Sequence, residues 1–161
     1  MHTLTQEEAR DIFDYVDGKL LRDGEEAGGP SSNGYHRVWA KGRSYQTHKL
    51  VYLYHHGYIP EFIDHINRDR LDNRIENLRE CTRSQNNRNA TKMKGTSSKY
   101  LGVAKHHNKW RAHICIGPKQ HYLGLHESED EAAKAYDIAL LSIDPEFGNF
   151  NFPKENYNRK T

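Results

Sequence analysis

The stretch FIDHINRDRLDNRIENLRECTRSQNN, residues 62–87, places Asp, Asn and Arg side chains and one His between short apolar patches. Its beginning, EFIDHI (61–66), predicts a strand that enters a loop, and NLRECT (77–82) predicts the returning strand. RSQNNRNA (83–90) predicts a helix. The order strand, loop, strand, helix decides the fold of the first half, and the loop is rich in side chains that can bind a metal ion or a phosphate.

Composition allows a small globular protein. The 161 residues suit one domain or two small ones. Mean hydropathy is low, at −1.02, but ten Tyr, five Phe and two Trp can bury a core. Cys81 and Cys115 follow no paired spacing, which argues against a disulfide framework or a Cys-based zinc site and favours a reducing compartment. No apolar run approaches the roughly 18 residues of a membrane helix, so we expect a cytoplasmic protein, not a secreted one, without a membrane partner.

Charge is distributed unevenly although its net value is only +2. From Cys81 to His126 there is no Asp or Glu, and the same segment holds nine Lys and Arg residues and five His. Apolar residues such as Trp110 and Ile114 are interleaved with these cations, which is not typical of a disordered tail. The segment therefore favours a polyanion partner, nucleic acid above all.

The rest of the first half predicts a β-rich extension. Residues 5–14 predict a helix with Thr5 as N-cap and Glu8 closing a capping box. Asp17-Gly18 and Lys41-Gly42 predict hairpin turns, and residues 24–34 predict a loop. Residues 48–56 predict a helix that follows Thr47 as N-cap and ends at Gly57.

The second half has a simpler pattern. Three alternating segments, residues 100–106, 109–117 and 119–126, predict strands joined by short turns. Residues 128–143 predict a helix in which Ser128 is the N-cap and Glu131 closes the capping box. A sheet backed by one helix is the simplest arrangement that buries both apolar faces.

Four motifs follow one another in residues 48–89. They are H-K-L-V at 48–51, D-H-I-N at 64–67, D-N-R-I-E-N-L at 72–78 and S-Q-N at 84–86. In this combination they resemble the ββα-metal (His-Me) finger of HNH endonucleases, in particular those of the phage homing type.

The resemblance implies roles for four residues. His65 and Asn77 are the expected catalytic residues. His65 is expected to be the general base, and Asn77 is expected to hold the loop in shape. Asp64 and Asn86 are expected to bind a divalent metal. A neutral imidazole can remove a proton from water at pH 7, and carboxylate and amide oxygens suit Mg²⁺, or Mn²⁺, better than zinc. In a regular strand Asp64 and His65 point to opposite faces, so the strand must end or twist there for both to serve one site.

Simpler interpretations compete for several of these residues. Four loop residues are read as turn formers and solvated charges: Asp69, Arg70, Asp72 and Asn73. A structural zinc bound by His65 and Cys81 is an open alternative, although no second ligand pair is near in sequence. His48 is read as either a structural residue or a phosphate contact.

The second half carries five motifs of another family. They are Y-x-G-V at 100–103, K-W-x-A-x-I at 109–114, Y-L-G at 122–124, E-A-A-x-A-Y-D at 131–137 and N-F-P at 151–153. Together they resemble the Apetala-two/ethylene-response-factor DNA-binding domain, a three-stranded antiparallel sheet packed on one helix. In that family the sheet lies in the DNA major groove.

The surface that would read DNA departs from the plant pattern. Leu101, Ala104 and His106 stand where Arg is usual, and Tyr122 replaces a Trp, so plant sequence preference does not carry over. We expect Val103, Ile114 and Leu123 to pack under the helix and Lys105, Arg111, His113 and His121 to point outward. The predicted DNA contacts of the whole chain are His48, Arg83, Arg88, Lys105, His106, Lys109, Arg111, His113, Lys119 and Tyr122.

The sequence thus predicts an α+β protein of two domains. Residues 1–91 form the nuclease domain with its core motif at 48–89, 92–99 a linker, 100–153 the DNA-binding domain and 154–161 a tail. The expected function is metal-dependent cleavage of double-stranded DNA in a phage-infected or bacterial host cell, with the oligomeric state open. The alternative is a sequence-specific DNA-binding regulator with an inactive nuclease scaffold; RNA binding is less favoured because no base-stacking signature is present.

Overall fold

A computed structural model describes residues 4–89 and 97–157. The chain divides into two compact units, a first unit, Met1–Thr82, and a second unit, Arg83–Thr161. Helices and small antiparallel sheets make up both, so the fold is α+β as predicted. The predicted linker 92–99 and tail 154–161 lie partly outside the described residues, and the predicted domain limits stay predictions.

The first unit begins with a capped helix and a hairpin. Helix α1 is followed by three short strands in one sheet: α1 Gln6–Ile12, β1 Asp14–Val16, β2 Lys19–Arg22 and β3 Glu25–Glu26. The capping box of Thr5 and Glu8 is present, as predicted. Asp17 and Gly18 both have positive φ, which is the backbone that a two-residue hairpin turn between twisted strands requires.

A second sheet of three strands follows. Its members are β4 Gly29–Pro30, β5 His36–Ala40 and β6 Arg43–Gln46. Lys41 and Gly42 form the predicted hairpin turn between β5 and β6, again with positive φ at both residues. The prediction of one loop over residues 24–34 is wrong, because β3 and β4 lie within it; two-residue strands are too short to leave an alternation pattern in the sequence.

Helix α2, Thr47–His56, is the centre of the first unit's core. Leu50 and Val51 are fully buried, and they pack with Phe13, Leu20 and Val38 from the neighbouring elements. The helix ends at Gly57 in the left-handed conformation, as predicted. Its N-cap is Gln46 and not the predicted Thr47, because Thr47 is already helical and its hydroxyl bonds to the ring of His36.

An antiparallel pair completes the first unit. β7, Phe62–His65, pairs with β8, Leu78–Cys81, and a short 3₁₀ helix at Ile75–Asn77 precedes β8. Both strands were predicted. Helix α3, Arg83–Asn89, follows at once and belongs to the second unit.

The second unit is built on the predicted sheet and helix. Its strands are β9 Val103–His106, β10 Lys109–Ile116 and β11 Lys119–His126, in the order β11, β10, β9, and they are followed by helix α4 Glu129–Ile143. Ser128 and Glu131 form the predicted capping box. Ala112 of the sheet and Ala132 and Ala133 of α4 are fully buried, which shows how closely these small residues let the helix lie on the sheet.

The segment after α4 is tied to one buried carboxylate. Asp137, fully buried on α4, accepts hydrogen bonds from the backbone of Asn151 and Phe152 and from the hydroxyl of Tyr157. The side chain of Asn151 in turn bonds to both the N–H and the C=O of Leu101. Asp137 therefore connects the N-F-P motif to the helix and, through Asn151, to the segment that leads into β9.

Within residues 4–89 and 97–157, no helix is both long and apolar enough to cross a membrane.

Candidate functional site

Asp64 and His65 lie at the end of β7, and both are buried. In the antiparallel register Asp64 is opposite Arg79 and His65 is opposite Leu78. Residues opposite each other share a face of the sheet, so Asp64 and His65 begin on different faces. The strand ends at His65 and a turn begins at Ile66. The sequence analysis required the strand to end or twist here if both side chains are to serve one site, and the strand does end here.

The carboxylate of Asp64 forms an ion pair with Arg79. The Nε and Nη2 atoms of Arg79 lie 2.9 and 2.8 Å from the same oxygen, Oδ2 of Asp64. Because Asp64 is only 4% exposed, the guanidinium offsets the cost of burying its negative charge. The pair also fixes the direction in which the carboxylate faces.

His65 is held among polar and aromatic side chains. Its Nε2 lies 3.2 Å from Oδ1 of Asn73. The ring of His48 stands nearly perpendicular to it with centroids 5.1 Å apart, and the ring of Tyr35 lies 6.1 Å away. Burial lowers the pKa of His65, although the hydrogen bond to Asn73 and nearby carboxylates oppose this shift. His65 is therefore neutral at pH 7, as a general base must be.

His48, predicted to be either structural or a phosphate contact, is a buried residue in the first turn of α2. Desolvation, with smaller effects of His65 and Lys49, lowers its pKa to about 3. Its Nδ1 is buried and has no hydrogen-bond partner among the described residues. His48 is thus a neutral, packed neighbour of His65 in this structure, and its predicted contact with DNA stays a prediction.

Asn77 binds the loop between β7 and β8. Its Oδ1 accepts a bond of 2.9 Å from the N–H of Asn67, and its Nδ2 donates to Oδ1 of Asn67 and to the carbonyl of Asp72. The backbone carbonyl of Asn77 also accepts from the N–H of Ile66. These contacts reach both ends of the loop. The resemblance to HNH endonucleases leads us to expect such contacts from Asn77, the residue expected to hold the loop in shape.

Other loop residues behave as turn formers. Asp69 accepts from the N–H of Leu71, and Asp72 accepts from the backbone and guanidinium of Arg74. The hydrogen bonds from Arg74 lower the pKa of Asp72 to about 2. Arg70, exposed, lies over the ring of Tyr35.

Asn73 does not fit the interpretation as a solvated turn residue. It is only 3% exposed, and its side chain bonds to His65. Sequence reasoning missed it because turns usually place Asn in water. The available signal was its place four residues before Asn77 within the D-N-R-I-E-N-L motif.

Three predicted residues lie on α3 in the second unit. Arg83 is exposed and Asn86 half-buried. Arg88 donates to Asp144 and to Oγ of Ser84, and its side chain is 12% exposed. Of the two predicted metal ligands, Asp64 therefore belongs to the first unit and Asn86 to the second. No group of three or more His, Cys, Asp or Glu side chains that could hold a metal occurs in residues 4–89 and 97–157.

The register of the second unit's sheet shows which predicted contacts share a face. Val103, Ala112 and Ile114 are buried toward α4, and Leu123 packs with them, as predicted. Two observations identify the residues of the opposite, outer face of the sheet. They are the cross-strand pairs that include Arg111 and His113, and the alternation of side chains along each strand. Five predicted contacts lie there: His106, Lys109, Arg111, His113 and Tyr122.

Two residues predicted to point outward lie on the helix side instead. Lys105 pairs with Trp110, and its Nζ lies 5.9 Å from that ring; His121 is opposite the buried Ile114. Residues i and i+2 of a strand share a face, so Lys105 lies on the same face as Val103, and His121 lies on the same face as Leu123. Lys119, opposite Ile116, lies on the same side. Lys105, Lys119 and His121 are all exposed at the rim of the sheet.

The outer face combines charge with exposed aromatic and apolar surface. Tyr122 is 62% exposed, and Leu125, opposite Arg111, is also exposed. Burial lowers the pKa of His113, and the nearby Arg111 lowers it further. Lys109 pairs with Glu127 at the surface. A flat face with cations and a planar ring suits contact with a polyanion that presents both phosphates and bases.

Comparison with known proteins gives two separate similarities. Residues 45–88 match the family model described as HNH endonuclease. The uncharacterised HNH endonuclease L560 of Acanthamoeba polyphaga mimivirus is 33% identical over 114 residues, which cover 68% of this chain and 57% of that protein. The predicted resemblance of the first half is confirmed.

The other similarity is to plant transcription factors. The ethylene-responsive transcription factor WRI1 of Arabidopsis thaliana is 42% identical over 64 residues, 37% of this chain and 15% of its own length. The AP2-like ethylene-responsive transcription factor At1g16060 of the same plant is 52% identical over 48 residues, 27% of this chain and 14% of its own. The predicted resemblance to this type of domain is also confirmed, and the chain spans well under two thirds of each of these relatives.

Proposed function

We propose that the chain is a divalent-metal-dependent DNA endonuclease of the HNH type, with a nuclease module in residues 1–91 and a DNA-binding module in residues 100–153. One observation carries the proposal: a buried, neutral His65 beside Asp64 at the end of β7, inside the segment that matches HNH endonucleases. In this proposal β7, β8 and α3 are the three parts of a ββα-metal finger.

His65 is the general base in the proposed reaction. Its lowered pKa keeps the imidazole neutral at pH 7, so it can take a proton from a water molecule that attacks the phosphorus atom. The bond from phosphorus to the leaving sugar oxygen then breaks. Asn77 keeps the loop after His65 in shape, and the rings of His48 and Tyr35 limit the movement of the imidazole.

Asp64 and Asn86 are the proposed ligands of Mg²⁺ or Mn²⁺. One carboxylate and one amide oxygen are hard donors that fit such an ion and leave positions for phosphate and water. When bound, the ion would supply the positive charge that stabilises the phosphate and the leaving oxygen in the transition state. Arg79, whose guanidinium contacts Oδ2 of Asp64, orients that carboxylate.

The outer face of the second unit's sheet is the proposed surface for double-stranded DNA. Cutting chemistry contacts mainly the sugar-phosphate backbone, which carries no sequence information, so recognition needs groove contacts elsewhere. Lys109 and Arg111 can meet phosphates or base edges, and Tyr122 offers a ring. The plant relatives are named as transcription factors, which supports DNA binding by this module.

A DNA-binding regulator with an inactive nuclease scaffold is the second candidate. The Asp64–Arg79 pair favours it, because a guanidinium at Oδ2 competes with a metal ion for that oxygen. The buried His65 favours the enzyme, because a purely binding module has no use for a neutral imidazole next to a carboxylate.

Cleavage of supercoiled plasmid separates the two. Wild type with Mg²⁺ or Mn²⁺ is expected to convert supercoiled DNA into nicked or linear forms, and EDTA or His65→Ala is expected to abolish the conversion. His56→Ala, at the exposed end of α2 in the same unit, is the matched control and should cut like wild type. If wild type and His65→Ala leave equal amounts of supercoil, the enzyme proposal is wrong and the regulator remains.

A further inference from the structure

Helix α3 cannot be held in place by apolar packing. Its seven residues, RSQNNRN, include no apolar side chain. Helices shorter than about 12 residues are only marginally stable in water on their own. The conformation and the place of α3 must therefore depend on polar contacts with the rest of the chain.

Arg88 ties α3 to the end of helix α4. Its Nε and Nη2 atoms both donate to Oδ2 of Asp144, the former at 3.0 Å. The two side chains are 12% and 9% exposed, so water screens the pair little. The other carboxylate oxygen of Asp144 accepts from the N–H of Phe147, and the N–H of Asp144 donates to the carbonyl of Leu140. Asp144 is thus itself fixed, and the guanidinium attaches α3 to it.

Two further groups connect α3 to the second unit. Oγ of Ser84 accepts from Nη1 of Arg88 at 2.8 Å and from the N–H of Gly117 at 3.3 Å. Gly117 lies in the turn between β10 and β11. The backbone carbonyl of Arg88 accepts from the N–H of Asn149 at 3.2 Å. The helix is therefore attached both to the sheet of the second unit and to the segment after α4.

Asn86, the proposed metal ligand on α3, stands between these two residues in the sequence. We propose that Ser84 and Arg88 are positioning residues that anchor α3, so that the second unit fixes the place of Asn86. Arg88 is then not one of the DNA contacts. The role of Asn86 in this inference rests on the proposed function, whereas the anchoring of α3 does not.

The anchoring connects α3 to the strands that form the proposed DNA surface. Those strands are β10 and β11, and the turn that joins them bonds to Ser84. The strands and α3 belong to one compact unit. We therefore expect cleavage to depend on the anchoring even when DNA saturates the protein, because DNA binding alone does not hold Asn86.

The test separates an anchoring Arg88 from a DNA-contacting one. Arg88→Ala with Asp144→Asn removes both charges of the pair together. The amide oxygen at position 144 can still accept from the N–H of Phe147, so the second unit should fold. Ser84→Ala is a milder second variant, since it removes a single hydroxyl. Asn87→Ala, at an exposed position of the same helix, is the matched control.

Hydrogen exchange, followed by NMR on the full-length chain without DNA or metal, reports on α3 directly. The amides of residues 87–89 are the ones that the helix itself bonds. In the double variant we expect them to exchange at least about 10-fold faster than in wild type, and in Ser84→Ala a few-fold faster. The amides of β10, β11 and α4 should keep their rates, as should all amides in Asn87→Ala.

DNA binding and cleavage should respond differently in the double variant. A phosphate contact contributes about 0.9 to the slope of log affinity against log salt, so an anchoring Arg88 should leave that slope unchanged. The single-turnover rate at saturating DNA should fall about 10- to 100-fold, the usual effect of removing a group that orients a metal ligand. Arg88→Lys, which can pair with Asp144 but does not reproduce the bond to Ser84, should keep part of the protection and of the rate.

Three results would overturn the inference: unchanged exchange of residues 87–89 in the double variant, a salt slope reduced by about 0.9, or faster exchange with the full cleavage rate. If the double variant does not fold, unchanged exchange in Ser84→Ala overturns it equally. The outcome is separate from that of the proposed function. A protein that cuts nothing but loses the protection of α3 in the variants refutes the nuclease and supports the anchoring, whereas a protein that cuts with α3 unaffected refutes the anchoring alone.

Discussion

Arg79 and Asp64 stand directly opposite each other in the β7–β8 pair, and two nitrogens of the guanidinium contact one oxygen of the carboxylate. This pair lets the protein keep the negative charge of Asp64 almost completely buried. The next residue is His65, whose imidazole must stay neutral to act as a base. Loss of the Asp64–Arg79 pair would leave the charge of Asp64 poorly compensated, and breaking a buried pair costs more than the pair itself contributes.

We therefore expect Arg79→Ala to destabilise the first unit by about 3 kcal/mol. Urea unfolding followed by the fluorescence of Trp39, in a Trp110→Phe background, reports on the first unit alone. Lys19→Ala, which removes the cation of the exposed Lys19–Glu26 pair, should reduce stability far less, because water already solvates both charges. Equal effects of the two variants would show that Asp64 does not depend on Arg79.

Acid should destabilise the first unit through His48. Its pKa is about 3 in the folded protein and about 6.5 when unfolded, so the unfolded chain binds the proton more tightly. Stability is complete above pH 6.5 and decreases as the pH falls toward 3. Between pH 7 and pH 5 this one group should lower the free energy of unfolding by about 2 kcal/mol.

The test compares wild type with His48→Phe, which keeps an aromatic ring but cannot titrate. The loss between pH 7 and pH 5, measured by the same fluorescence, should be about 2 kcal/mol smaller in the variant. Groups distant from His48 titrate alike in both proteins, so the difference reports on His48 together with its interaction with His65. A variant as acid-sensitive as wild type would mean that His48 is not buried as a neutral ring.

The rate of cleavage should persist in mild acid. Burial lowers the pKa of His65 below the ordinary 6.5, and the base acts only when it is neutral. More than half of the plateau rate should remain at pH 6.5, and the loss should come below that pH. Single-turnover cleavage of a plasmid from pH 5 to 8 measures this; a half-maximal rate above pH 7 would contradict the assignment of His65 as the base.

Buried Asp137 should be required by the second unit. An amide there would present an N–H₂ group to donors, leaving at least one of the three bonds to Asn151, Phe152 and Tyr157 unmade. We expect Asp137→Asn to cost about 2 to 3 kcal/mol, measured by Trp110 fluorescence in a Trp39→Phe background. Asp130→Asn, at an exposed site on the same helix, is the control and should change stability little.

Local signals allowed most elements to be predicted. The capping boxes at Thr5 and Ser128 and the turns at Asp17-Gly18 and Lys41-Gly42 act over a few residues, so the sequence alone shows them. The two-residue strands β3 and β4 depend on partners elsewhere in the chain and leave no such signal.

The candidate site was predicted less completely, for a related reason. His65 and Asp64 follow from a motif, but the burial of Asn73 depends on how the loop folds back onto β7. The side of the sheet on which Lys105 lies could have been predicted, since Val103 is buried toward the helix and residues two apart in a strand share a face. The side on which His121 lies depends in addition on a β-bulge opposite Ala112 and His113, and the alternation of apolar and polar residues does not show that bulge.

The outer face of the sheet should carry more of the DNA affinity than its helix side. Lys109→Ala with Arg111→Ala removes two cations from the outer face, and Lys105→Ala with Lys119→Ala removes two from the other side, so the net charge changes equally. If each outer cation meets a phosphate, the first pair should reduce the slope of log affinity against log salt by about 1.8, while the second pair should change it by less than half as much. Fluorescence anisotropy with a labelled duplex between 50 and 200 mM salt, roughly the range over which such contacts are sensitive, measures both slopes. Equal slopes for the two double variants would show that binding follows net charge and not the face on which the cations lie.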